Sequence, residues 1–201
     1  MLYSDFTLKS AKSELALELI EDQDLFSTIE EIEISSHLEE TLKRTIPLAL
    51  SINTEKARSE LIIINILLEI KNQIHDEVSL FSGIEFSVDK EKNLSGFCDF
   101  ILSKSAEQLY LEAPVVTIVE AKNENIIAAL GQCIAEMYAA KIFNERENND
   151  IPAIYGAVTT GDEWKFIKLV DNTAYIDLGK YYANHIKKII GILIAMAKIA
   201  A

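Results

Sequence analysis

The sequence predicts an α/β fold in which a central mixed β-sheet is flanked by helices and preceded by an acidic helical N-terminal extension. Two observations lead to this prediction. After residue 54, patterns typical of a helix, three strands, a helix, further strands and a final helix follow one another. One of these strands, residues 115–122, is apolar on both faces until its end, as expected of a central strand that helices cover on both sides.

Each element follows from its own pattern. In the N-terminal part, apolar residues at helical spacing predict short amphipathic helices with acidic outer faces. Longer helices are predicted where that spacing persists over several turns: 55–73, 126–145 and 182–200. Strands are predicted where short apolar runs are bounded by polar turn residues: 80–88, 94–102, 115–122, 153–158, 164–170 and 174–178.

The charge is strongly acidic and unevenly distributed. The 201 residues carry a net charge of −13, of which residues 1–40 contribute −9 and the rest −4. A chain this acidic is a poor candidate for holding nucleic acid through a broad electrostatic surface. The apolar fraction of 49% excludes a disordered chain.

The same asymmetry divides the chain into two parts. We expect an acidic helical N-terminal extension over residues 1–50 and the main domain over residues 51–201. Pro47 and the polar stretch that follows it mark the boundary, and Asn53 or Thr54 can cap the next helix.

The cysteines and the apolar segments indicate where in the cell the protein is expected. Cys98 and Cys133 stand in apolar surroundings and match neither a disulfide framework nor a zinc pattern. The N-terminus has no export signal. The most apolar segment, residues 189–201, is interrupted by Lys198 and shorter than the roughly 20 residues that span a bilayer. We therefore expect a cytoplasmic protein that does not associate with a membrane.

Charged residues stand at the ends of two predicted strands. Glu120 and Lys122 point to the same face of their strand because successive residues alternate. Asp99 stands among apolar residues of the preceding strand, where a buried carboxylate needs a partner. If the two strands are antiparallel neighbours, Asp99 and Glu120 converge, and oxygen ligands of this kind suit Mg²⁺.

The flanking helices each carry one polar residue on an apolar face. Glu60 falls on the stripe that includes Ile63 and Leu67, the face expected to pack on the sheet. Gln132 falls on a small-residue face of the helix over residues 126–145. These positions indicate a shared polar site.

Taken together, these residues resemble the PD-(D/E)XK nuclease superfamily, which has the restriction-endonuclease-like fold. The matching residues are Asp99, Glu120 and Lys122 of the Glu-Ala-Lys tripeptide 21 residues later, and Gln132. The similarity covers roughly residues 54–170 and is nearest to the nuclease domains of type I restriction subunits, in which a Thr-x-Gly-x-x-Trp-like segment also follows.

The resemblance implies a role for each residue. Asp99 and Glu120 would hold Mg²⁺, or Mn²⁺ in its place, with help from the Ala121 carbonyl and with Glu60 acting through water or supporting a second ion. Lys122 would orient or help to deprotonate the attacking water. Gln132 would align water or substrate. The catalytic residues implied are therefore Asp99, Glu120, Lys122 and Gln132, and the metal ligands Glu60, Asp99 and Glu120.

The sequence departs from the family at two places. Cys98 precedes Asp99 where proline is usual. Related nucleases have tyrosine four residues after the glutamine, whereas this chain has Glu136 there and Tyr138 two residues further on. The second departure puts the role of this helix in DNA positioning in question without touching the metal residues.

Structural explanations remain open for each residue. Asp99 and Lys122 could form a buried salt bridge at a strand end. Glu60 could pair with a nearby Lys or with Arg58, and Gln132 could be a satisfied core amide. The apolar C-terminal helix could pack into the core or form a homodimer surface.

The expected function is that of a Mg²⁺-dependent nuclease, a hydrolase of DNA phosphodiester bonds associated with restriction or repair. We expect weak DNA binding by the chain alone, delivery of DNA by a partner subunit, and homo-oligomer formation if the C-terminal helix is a contact surface. The alternative is a non-catalytic restriction-endonuclease-fold interaction module that binds protein partners.

Overall fold

A mixed eight-stranded sheet forms the centre of the computed structural model, which describes residues 2–149 and 151–199 (the side chains of residues 76 and 199 excepted). Every strand predicted from the sequence is present. In chain order the strands are β1 (Glu18–Ile20), β2 (Ser79–Glu85), β3 (Phe97–Ser103), β4 (Val115–Ala121), β5 (Ile154–Thr159), β6 (Glu163–Val170), β7 (Thr173–Ile176) and β8 (Tyr181–Tyr182).

The strands lie side by side in the order β1-β7-β6-β5-β4-β3-β2, and β8 pairs with β6. Strand β3 is antiparallel to both β2 and β4, so the strands that carry Asp99 and Glu120 are antiparallel neighbours, which is the condition stated above for their convergence. Strands β4 and β5 are parallel. Strand β6 is antiparallel to β5 and β7, and β1 joins β7 in parallel.

Six α-helices cover the sheet in the part of the chain described. They are α1 (Leu8–Glu14), α2 (Ser36–Ile52), α3 (Glu55–Arg58), α4 (Ile64–Ile74), α5 (Ile126–Arg146) and α6 (Ile186–Ile199). Thr54 caps α3 through its hydroxyl, which accepts from the Ala57 N–H at 3.1 Å, as the sequence predicts. A π-helical turn, Ser59–Ile63, joins α3 to α4 in one continuous helix.

The two faces of the sheet each bury a core. Helices α2, α4 and α6 cover one face, and α1 and α5 cover the other. Strand β4 serves both cores, because Val116 and Val119 point to the first and Val115 and Ile118 to the second. The prediction of a central strand covered on both sides is confirmed. The apolar residues of α6 lie in the first core, so core packing accounts for that helix.

The N-terminal part is packed into both cores. Strand β1 extends the sheet at the β7 edge, so this part contains a strand as well as the expected helices. At Gly131 of α5, an added Cβ would overlap the Thr7 carbonyl, and at Gly191 of α6 it would overlap the Glu30 carbonyl oxygen. Pro47, expected near the boundary, lies inside α2, on its solvent side where the carbonyl that it leaves free can bind water.

Among the described helices, α5 is the one that is long and apolar enough to cross a membrane by length and composition. Its mean hydropathy over the best window is 1.4, but 61% of that window is buried inside the protein. Because α5 packs between the sheet and α1, it has the character of a core helix of a globular protein.

Candidate active site

Asp99 and Glu120 lie on neighbouring antiparallel strands, each next to the last paired residue. Phe100 of β3 pairs with Val119 of β4, so Asp99 and Glu120 stand just beyond this pair. The side chain of Glu120 lies on the side of the sheet covered by α5, where it bonds Gln132, and the charge of Asp99 acts on it. Asp99 also accepts a hydrogen bond through Oδ2 from the Ala121 N–H at 2.8 Å, which ties it to the end of β4.

Glu120 is almost completely buried and receives two donors on one oxygen. Its side chain is 2% exposed. The Lys122 Nζ lies 2.5 Å from Glu120 Oε1, and Gln132 donates from Nε2 to the same oxygen at 2.6 Å. The other oxygen, Oε2, is buried and has no hydrogen-bond partner among the described residues. The ion pair at this strand end therefore joins Lys122 to Glu120.

The electrostatic environment of Glu120 disfavours its negative charge. Burial is the largest cause, and the negative charge of Asp99 adds to it, so that the pKa of Glu120 rises to about 8 despite the opposing effect of Lys122. Two carboxylates gathered in this way favour either a proton or a cation. The site is therefore chemically suited to a positive ligand.

Lys122 is held in its charged form. Burial lowers the pKa of Lys122, but the adjacent Glu120 carboxylate and its hydrogen bond raise it by more, and the net pKa lies above the ordinary lysine value. The backbone N–H of Lys122 donates to the Thr159 carbonyl at 2.8 Å, which continues the parallel pairing of β4 with β5 past the end of β4. This places the Lys122 ammonium in contact with the Glu120 carboxyl group, at the strand end where the sequence predicts a lysine.

Helix α5 supplies Gln132 and also Glu136, which in the sequence is only a departure from the tyrosine of related nucleases. Besides bonding Glu120, the Gln132 Nε2 donates to Glu136 Oε1 at 3.0 Å. Glu136 is fully buried, and its Oε2 has no partner among the described residues. Burial and the nearby Glu120 charge raise the pKa of Glu136 well above the usual glutamate value. The signal available in the sequence was a carboxylate one helical turn after Gln132 on the same face.

Glu60 is placed differently from the sequence expectation, and this position is a correction. Its side chain is 64% exposed and pairs with Lys56 at 3.5 Å, one of the structural alternatives left open above. The reason is the π-helical turn Ser59–Ile63, which breaks the spacing of 100° per residue on which the predicted stripe depends. The helix also packs on the sheet face opposite to α5. A role for Glu60 toward a metal stays a prediction.

Glu55 is another acidic residue of this helix, and its charge affects the site. As the first residue of α3 it is exposed, and its negative charge contributes to raising the pKa of both Glu120 and Lys122. The sequence contained one signal for it, since Glu55 directly follows the capping residue Thr54 and so begins the helix.

A hairpin turn lies next to Lys122, at the edge of the site. The turn joins β5 to β6 at residues 160–162, with Gly161 at φ +87°. The buried Arg58 guanidinium anchors it through Nη1, which bonds the Thr160 carbonyl at 2.8 Å and Asp162 Oδ1 at 2.6 Å. The turn leads into Trp164, which is buried in the core.

An open cleft of about 480 Å³ reaches the site at Gln132. The N-terminal turn at residues 2–4 forms one wall, and the β2–β3 connection forms the other with Lys90 and the 67% exposed Phe97. Tyr3 is buried in the first wall with a hydroxyl that lacks a hydrogen-bond partner among the described residues. The cleft thus combines an exposed ring, a lysine, Glu85 and several serines, and Gln132 is the candidate-site residue that lines it.

The carboxylates fit a divalent cation that takes part of its ligands from elsewhere. Within residues 2–149 and 151–199, no three His, Cys, Asp or Glu side chains gather closely enough to hold a metal ion by themselves. Mg²⁺ commonly takes one or two carboxylates and completes its shell with water and substrate phosphate. Asp99 and Glu120, with the unpartnered Glu120 Oε2, form a donor set of that kind.

A scan against protein-family models finds no match to this chain, and a search of curated protein sequences finds none either. The class of site is therefore defined by its own chemistry: two carboxylates, a lysine and a glutamine at the carboxyl end of a central strand.

Proposed function

We propose that this protein is a Mg²⁺-dependent nuclease of the PD-(D/E)XK type that hydrolyses DNA phosphodiester bonds. One observation carries the proposal. Lys122 and Gln132 both bond Oε1 of the buried Glu120, while Asp99 of the next strand bonds the N–H of the adjacent Ala121. An acid, a lysine and an amide assembled from three elements at one strand end form a site suited to phosphoryl chemistry.

The sheet supports a restriction-endonuclease-like core. Helix α3–α4, strands β2, β3 and β4, helix α5 and strand β5 follow in the order helix, three strands, helix, strand, which is the order of that family's core. The antiparallel β2–β3–β4 meander and the parallel β4–β5 pair agree with this arrangement.

Asp99 and Glu120 would hold the Mg²⁺ ion with the Ala121 carbonyl. The ion would act as a Lewis acid on the phosphoryl oxygen and lower the pKa of bound water. Lys122 would place its ammonium where negative charge develops in the transition state. Gln132 would fix the orientation of Glu120.

Substrate binding would depend on more than this chain. Residues 41–201 have a net charge of −4, so the attraction of this part for DNA would be weak and sensitive to salt. We therefore propose that a partner subunit delivers DNA to this chain. Location in the cytoplasm agrees with Cys98 and Cys133, which are free and buried.

The experiment is a cleavage assay of the purified chain at low salt, on single-stranded, duplex and branched DNA and on RNA, with Mg²⁺, Mn²⁺ or EDTA. We expect metal-dependent cleavage that is lost in Asp99→Ala and Lys122→Ala. Matched controls are Asp89→Ala and Lys92→Ala, a second acid and lysine whose charges lie 3.9 Å apart in the β2–β3 connection. Cleavage that survives in the site variants would refute the assignment of the site.

The alternative, a non-catalytic module of this fold that binds protein partners, rests on a different surface. An apolar groove of about 510 Å³ lies between α2 and the start of α6, lined by Ile34, Leu42, Ile46 and Ile186. Lack of cleavage on every substrate together with lack of Mn²⁺ binding would favour the module.

A further inference from the structure

The hydrogen bonds of Gln132 determine which part of its amide is available to a substrate. A primary amide has two N–H hydrogens and one carbonyl oxygen. Nε2 of Gln132 lies 2.6 Å from Glu120 Oε1 and 3.0 Å from Glu136 Oε1, so each hydrogen has an acceptor inside the protein. The carbonyl oxygen is what remains for the cleft that Gln132 lines.

Glu136 is an unexpected residue at its position. It is fully buried on the apolar face of α5 and one of its carboxyl oxygens has no partner among the described residues, and a buried polar group without a partner costs free energy. Its Oε1 bonds Gln132, and no other hydrogen bond to it occurs in the described part of the chain. The free-energy cost of burying Glu136 is therefore offset by one side-chain hydrogen bond, from Gln132, and Gln132 in turn bonds Glu120.

We infer that Glu136 is a positioning residue of the active site: it orients the Gln132 amide with the nitrogen toward Glu120 and the carbonyl oxygen toward the cleft. This inference rests on the proposed nuclease function for its effect on turnover. Without the Glu136 acceptor the amide can rotate, and the Glu120 oxygen then loses one of its two donors.

Three variants separate this role from a structural one. Glu136→Gln keeps a carbonyl acceptor of the same length, and Glu136→Leu removes the acceptor but keeps an apolar volume of similar size. Glu69→Gln is the control, because Glu69 is another buried carboxylate that bonds Ser35 and Gln73 on the helix over the opposite sheet face.

We expect Glu136→Leu to lower kcat by about 10- to 100-fold, the range found when partners of directly acting groups are removed. The Tm of Glu136→Leu should be equal to or above that of the unmodified chain. Glu136→Gln should retain kcat within about twofold. Glu69→Gln should lower Tm and leave kcat unchanged. Loss of Tm in parallel with kcat in Glu136→Leu, or an unchanged kcat, would overturn the inference.

A second measurement does not depend on turnover. In ¹⁵N-labelled protein the side-chain NH₂ signals of Gln132 should exchange slowly with water, since both hydrogens are bonded, and Glu136→Leu should make one of them exchange at least about tenfold faster. Equal exchange rates in the two proteins would overturn the inference. If the unmodified chain cleaves no substrate, the proposed function fails, while this measurement still decides how the amide is oriented.

Discussion

Glu120 and Lys122 form an ion pair in which the carboxyl group remains unusually difficult to ionise. Lys122 Nζ and Glu120 Oε1 lie 2.5 Å apart, yet the pKa of Glu120 is raised to about 8, because burial and the charge of Asp99 outweigh the lysine. The ion pair by itself therefore does not neutralise the site. A bound cation would complete the charge balance between the strands.

This imbalance predicts how stability depends on pH. In the unfolded chain Glu120 ionises near 4.5, whereas in the folded protein its pKa is about 8. Between these values the unfolded chain has released a proton that the folded protein still binds, so stability falls as pH rises. The buried Glu136, with its raised pKa, adds a contribution of the same sign.

We expect Glu120→Gln to reduce the fall in Tm between pH 5 and pH 8 in EDTA, because it removes this proton linkage. Tm at each pH is measured by thermal unfolding followed by circular dichroism. For a chain of this size, a change of 1 kcal/mol in stability shifts Tm by roughly 2–4 °C. Glu145→Gln, at a 55% exposed carboxylate on the same helix as Gln132, is the control and should keep the slope. Parallel Tm curves for Glu120→Gln and the unmodified chain would contradict the prediction.

Arg58 should contribute to stability through the hairpin turn that it anchors. Arg58→Leu leaves the Thr160 carbonyl without its donor, and we expect a loss of about 1–3 kcal/mol in the free energy of unfolding, measured by urea titration. Lys56→Ala is the matched control on the same helix. Its exposed pair with Glu60 should contribute less than about 1 kcal/mol. Equal losses in both variants would show that the turn does not depend on Arg58.

Asn144 should stabilise the start of the central strand. Its side-chain amide accepts from the Val115 N–H at 2.7 Å and donates to the Val115 carbonyl at 2.8 Å, in the manner of a neighbouring strand. Asn144→Leu leaves both backbone groups buried without partners, at a cost of about 1–3 kcal/mol for each. Asn65→Leu, whose amide bonds only its own helix, should change stability by less than about 0.5 kcal/mol. Urea unfolding of the two variants tests the difference.

Gly131 should tolerate no side chain, although it lies inside a helix. Alanine at a helix interior normally stabilises by about 1 kcal/mol relative to glycine. Here its Cβ would overlap the Thr7 carbonyl, so Gly131→Ala should destabilise the protein and expose residues 2–17 to proteolysis. Ile127→Ala, at an exposed position of the same helix, is the control. Cleavage of the N-terminal part at the same rate in both variants would disprove the prediction.

The sequence predicts the sheet well because its strands are long enough to show a pattern. The apolar run at residues 115–122 and the apolar residues around Asp99 predict the two strands that carry the carboxylates, and the structure shows that these strands are antiparallel neighbours, which the sequence left as a condition. Strand β1 escaped prediction because it has three residues and takes its partner from the far end of the chain.

The candidate site was predictable where side chains follow the regular spacing of a strand or helix. Glu120, Lys122 and Gln132 do so, and they meet. Glu60 does not, since a π-helical turn cannot be recognised from apolar spacing. The buried position of Glu136 results from tertiary packing of α5, whose small residues allow close approach to the sheet.

The parallel pairing of β1 with β7 has a consequence for biosynthesis. Glu18 pairs with Thr173, so this sheet edge can form only after the chain has emerged from the ribosome as far as residue 173. Until then strand β1 lacks its partner strand β7, and the pairing of segments so distant in sequence is slow. Their negative charges would repel other nascent chains during this interval and so oppose aggregation before the fold is complete.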